Sequence, residues 1–152
     1  MTKTVTINNL TAVNEAAWYK EASERLSTLP VKVRWNLKKN MNLMIKMDQD
    51  FQEFKASEEK PIFDKYGDDE HSYVEGTQRK VKEEFLEEYQ KDVAKINEKL
   101  YEILNTTQEV ELFVIDMDEM METLPDDAPL TDADFDMLSL FDVEKVEAEV
   151  VE

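Results

Sequence analysis

The chain has 152 residues, 18 Lys and Arg against 36 Asp and Glu, and a formal net charge of −18. Cysteine is absent, which excludes disulfides, thiolate nucleophiles and Cys-ligated metal or iron–sulfur centres. Two glycines and four prolines favour long helices over a turn-rich β barrel, and the length suits a single domain over 1–142 with an acidic tail over 143–152.

In chain order, Thr4-Val5-Thr6-Ile7 alternates as a short half-buried strand does. Asn8 or Asn9 can cap a helix over Asn9–Leu29, whose apolar positions recur at helical spacing until Pro30 stops it. A second helix starts at Pro30 or Val31 and runs to about Lys60. Its stripe is Val33, Leu37, Met41, Met44, Phe51 and Phe54, with Met47 alongside. Pro61 is expected to break it, leaving a hook over 61–67 and an exposed loop over 68–76. A third helix is predicted over Thr77–Leu104, with Val81, Phe85, Tyr89, Val93, Ile96, Leu100 and Ile103 on one face.

Glu109–Ile115 reads as a strand able to pair with Val5–Ile7. A weak short helix over Asp116–Leu124 and a turn at Asp126, Asp127 and Pro129 follow. The last short helix has Thr131 as N-cap, Asp134 at the capping-box position, and Phe135, Leu138 and Phe141 to dock it. The Glu/Val-rich end, 143–152, is expected to fray. The expected fold is mainly α (α+β). It comprises a long antiparallel helical hairpin over about 31–104, an N-terminal helix, a small two-stranded β element and a short C-terminal helix.

Charge is polarised along the chain. Residues 1–60 hold 10 Lys/Arg and 8 Asp/Glu, residues 61–105 hold 7 and 12, and residues 106–152 hold 1 and 16. An acidic final third repels nucleic acid and anionic membranes and attracts basic surfaces. Lys32, Arg34, Lys38, Lys39 and Lys46 around Trp35 look like a nucleic-acid contact in miniature, but the total field opposes that, and internal charge balance is the expected role. The two methionine clusters, Met41, Met44 and Met47 with Met117, Met120 and Met121, are expected in the core.

Reactive machinery is hard to find. His71 is the only histidine, beside Ser72 in a polar segment, and adjacency in sequence does not make a triad. Gly67 and Gly76 belong to no phosphate-binding loop. Asp132-Ala133-Asp134-Phe135-Asp136 begins like a calcium loop, yet Met137 stands where glycine is needed and Val143 where a bidentate glutamate is needed. Asp116, Asp118 and Glu119 lack a phosphate-bearing partner for magnesium. No catalytic residue, cofactor-binding residue, metal ligand or cofactor is therefore assigned, and no enzymatic activity is expected.

Three stretches together carry a resemblance: Val5-Thr6-Ile7-Asn8-Asn9-Leu10 opening into a helix, Glu109-Val110-Glu111-Leu112-Phe113-Val114-Ile115, and Leu130-Thr131-Asp132-Ala133-Asp134-Phe135. With the charged hairpin between them, the layout resembles small acidic accessory proteins of tailed bacteriophages. The resemblance implies an accessory role in the cytoplasm of a bacterial host, or in the virion. The charge pattern adds a non-catalytic protein-binding module that presses an acidic face on a basic surface of a host protein, as an inhibitor or nucleic-acid mimic does. The expected contacts are Asp116, Asp118, Glu119, Glu122, Asp126, Asp127, Asp132, Asp134 and Asp136. The alternative is a virion or tail assembly protein, or its chaperone, with neighbouring virion proteins as partners. Direct nucleic-acid binding and membrane binding are disfavoured.

Overall fold

The computed structural model describes residues 1–143; the expected fray over 144–152 lies outside the described residues. The elements are β1 (Thr2–Asn8), α1 (Asn9–Glu21), α2 (Ser23–Leu26), α3 (Val31–Tyr66), β2 (Ser72–Glu75), β3 (Gln78–Val81), α4 (Glu83–Leu104), β4 (Thr107–Phe113), α5 (Met117–Thr123) and α6 (Asp132–Leu138), closed by a 3-10 turn at Ser139–Phe141. The fold is mainly helical, with a long helix, small antiparallel sheets and a short C-terminal helix. Among the described residues no helix is long and apolar enough to cross a membrane. Contacts divide the chain into two compact units, one of Met1–Asp48 with the chain from Thr107 onward, the other of Gln49–Thr106.

In the first unit, β1 and β4 pair antiparallel with Val5 opposite Val110 and Asn8 opposite Thr107. Alternation turns Ile7, Val110 and Leu112 inward. An isolated two-stranded ladder is marginal in water, and here helices cover it: Leu37, Met41, Met44 and Met47 of α3 join Trp18, Leu26, Leu138 and Phe141 in one core with the strand residues. Asn40 lies inside this core and completes the ladder's end. Its amide donates to the Phe113 carbonyl at 2.8 Å, and its oxygen accepts the Phe113 N–H at 2.7 Å.

Asn8, rather than Asn9, caps α1, its side-chain oxygen accepting the Thr11 N–H at 2.8 Å. The single helix expected over Asn9–Leu29 bends at Ala22 and finishes as the four-residue α2. Ser27 and Thr28 then turn their hydroxyls onto the carbonyls of Glu24 and Arg25, a local alternative to helical bonding.

The second unit pairs the later turns of α3 antiparallel with α4. Lys65 reaches Glu88 and Asp92, and Lys99 reaches Glu58. Two expectations fail here. Helix α3 runs through Pro61 to Tyr66 instead of ending at Lys60. A helix-interior proline costs about 3 kcal/mol; burial of Ile62 and Tyr66 and a 2.6 Å bond from the Tyr66 hydroxyl to Asp92 offset it. The segment 72–81, expected as loop and first helical turns, is a β-hairpin. Gly76 takes φ 64° at the first position of its two-residue loop, a conformation that favours glycine. Val81 consequently sits in a strand, and α4 begins at Glu83.

Candidate functional site

The acidic segment belongs to the first unit. Helix α5 follows β4 after a short turn, and Asp116 caps it by accepting the Glu119 N–H at 3.1 Å. Met120 anchors this helix in the core. Helix α6 opens with a complete capping box: Thr131 Oγ1 accepts the Asp134 N–H at 3.1 Å, and Asp134 accepts the Thr131 N–H at 2.9 Å. Leu138 and Phe141, both fully buried, fix its far end.

Eight of the nine expected contact residues lie on the surface: Asp116, Asp118, Glu119 and Glu122 on or beside α5, Asp126 and Asp127 in the turn, and Asp132 and Asp136 on α6. Ion pairs among the described residues gather elsewhere, and none involves Asp116, Glu119, Glu122, Asp126, Asp127, Asp132 or Asp136. These seven carboxylates are thus exposed with no cation paired to them among the described residues.

Asp134 is the correction. It is 0% exposed and available to no partner. One oxygen accepts Trp18 Nε1 at 2.9 Å and an Arg25 terminal nitrogen at 2.9 Å; the other accepts Arg25 Nε at 2.8 Å as well as the Thr131 amide. The Arg25 guanidinium, then the Thr131 and Trp18 donors, hold its carboxyl well below the usual carboxylate range. Arg25 is itself oriented by Glu21 at 2.7 Å. This network ties α1 and α2 to α6 across 109 residues of chain.

A second carboxylate escaped sequence reading. Glu15, on the inner face of α1, is 4% exposed, and its Oε1 has no hydrogen-bond partner. Burial pushes its carboxyl up to about 8. The available signal was its spacing, since Ala12, Ala16, Trp18 and Ala22 place Glu15 on the apolar stripe.

Four cations of the basic cluster lack the internal partners expected of them: among the described residues Lys32, Arg34, Lys38 and Lys39 form no ion pair. Lys39 lies over the rings of Trp35 and Phe113, at 5.1 and 4.4 Å from their centroids. The methionine expectation holds for Met41, Met44, Met47 and Met120, whereas Met121 is exposed.

In the second unit, His71 is half-buried against Tyr66 and Phe85, and its Nδ1 lies 2.7 Å from Asp68. Asp68 also accepts the His71 backbone N–H, an arrangement that fixes the turn into β2. Ser72 is turned away from the imidazole: its hydroxyl donates to the Asp68 carbonyl and accepts from Arg79. Asp68, Glu70 and His71 bring one potential metal-ligand atom each within 4.8 Å of one another. Comparison with known families, curated proteins and solved structures gives no match to this chain.

Proposed function

We propose that this chain is a non-catalytic protein-binding module whose acidic segment, Asp116–Asp136, engages a basic surface on a partner protein. The observation that supports this most is the set of exposed carboxylates Asp116, Glu119, Glu122, Asp126, Asp127, Asp132 and Asp136, none of which forms an ion pair among the described residues. Caps and the buried anchors Met120, Leu138 and Phe141 position α5 and α6, so the carboxylates these helices carry have a defined spacing. Two short rigid helices carrying spaced carboxylates can stand in for a row of phosphates, which is the inhibitor or nucleic-acid-mimic mode. The resemblance to phage accessory proteins fits such a role against a host protein.

The test compares the natural chain with a variant in which Glu119, Glu122, Asp126, Asp127, Asp132 and Asp136 become Gln or Asn. All six are exposed, so the fold should persist. Proteins captured from a bacterial lysate at low salt by the natural chain, lost at high salt, and not captured by the variant, would support the reading. An identical set of proteins retained by both chains at both ionic strengths would end it.

A further inference from the structure

The first unit contains a hollow of about 640 Å³ between α1–α2 and α3. This volume lies within the range that houses small ligands, about 300–1,000 Å³. Its walls are mostly apolar, with Tyr19, Leu26, Leu37 and Ile45, and Ser23 and Ser27 add two hydroxyls. Leu26 and Leu37 are core residues, so the floor is rigid. Lys20 from α1 and Arg34 and Lys38 from α3 line the same hollow.

Three cations converging on one apolar hollow are unexpected in a chain of net charge −18. Arg34 commits only its Nε, to the Leu29 carbonyl at 2.9 Å. Among the described residues Lys20 and Lys38 form no ion pair. One acid, Asp48, also lines the hollow, ten residues along α3 from Lys38. Lys20, Arg34 and Lys38 are exposed at the edge of the hollow, where their like charges favour an anion seated among them. The aliphatic walls match a hydrocarbon chain.

We propose that this hollow binds a free aliphatic carboxylate, its chain against Leu26, Leu37 and Ile45 and its head group among Lys20, Arg34 and Lys38. The site is separate from the acidic face, and neither reading depends on the other.

The experiment titrates the full chain with dodecanoate below its micelle-forming concentration, followed by calorimetry and by amide chemical shifts. Saturable binding with one molecule per chain is expected, with shifts at residues 16–27 and 34–48. Lys20→Glu with Lys38→Glu should weaken it about tenfold or more. Lys32→Glu with Lys39→Glu, which alters cations of α3 outside the hollow, should leave it unchanged. Dodecanol should bind about tenfold more weakly than dodecanoate. The proposal is overturned by absence of saturable binding, by equal affinity for the alcohol, or by equal loss in both double variants. Displacement of dodecanoate by an acidic amphipathic peptide at lower concentration would assign the hollow to a protein helix and overturn it too.

Discussion

Glu15→Gln isolates the cost of a buried, unpartnered carboxyl. In the folded chain burial raises the Glu15 pKa to about 8 from an ordinary value of 4.5. The folded state therefore keeps a proton that the unfolded chain has released, and stability falls as pH rises across that interval. At 1.36 kcal/mol per pH unit, the loss between pH 4 and pH 7 is about 3 kcal/mol, levelling at about 5 kcal/mol above pH 8. Glutamine keeps the shape and cannot titrate. Urea unfolding of both chains from pH 4 to pH 9 gives the comparison directly. The stability difference should shift in favour of the variant by about 3 kcal/mol from pH 4 to pH 7. Parallel pH profiles for the two chains would refute the reasoning, because they would mean that Glu15 ionises in the folded state as it does in water.

Asp134→Asn should destabilise the first unit by about 1–3 kcal/mol, since the buried charge-assisted bonds to Arg25, Trp18 and Thr131 are weakened while part-exposed Arg25 keeps Glu21 as its partner. Urea unfolding followed by tryptophan emission measures this, and a loss under about 1 kcal/mol would count against the network. Because the folded pKa of Asp134 is depressed, its contribution is present above the ordinary aspartate value and disappears as pH falls below it, opposite in sign to Glu15. Pro61→Ala should stabilise the second unit by about 1–2 kcal/mol, the restored helical hydrogen bond outweighing the freer unfolded chain. Slower amide exchange over 57–66 is the readout, and unchanged exchange would show that the proline costs nothing there.

Most of the framework was legible because period and caps act locally. The α3 stripe Leu37, Met41, Met44 and Phe51 is buried as its spacing requires, and the Thr131–Asp134 box forms as its sequence requires. The β1–β4 pairing was legible from two alternating runs, although they stand 98 residues apart between Asn8 and Thr107. Pro61 misled because propensity weighs the broken hydrogen bond and ignores Ile62 and Tyr66, which are buried beyond it. The hairpin at 72–81 misled because Tyr73 and Val74 are exposed, so no buried face wrote an alternation into the sequence. The Lys20–Arg34–Lys38 convergence left no signal, since it joins helices that periodicity treats one at a time.

The two buried acids change what the net charge means. Glu15 is shed from the count at neutral pH by keeping its proton, and Asp134 is cancelled by Arg25 within hydrogen-bond distance. Neither adds to the field at the surface, yet both bear on the stability of the unit that carries the acidic segment. Carboxyl groups thus sit in three separate settings in one unit: protonated in the α1 interface at Glu15, ionised and saturated with donors under α6 at Asp134, and exposed at the surface on α5 and the turn. Sequence composition adds these together; only their surroundings separate them. Losing that one buried anion should therefore loosen α6, and the exposed carboxylates of Asp132 and Asp136 with it, because the capping box and the bonds to Arg25 and Trp18 all converge on Asp134.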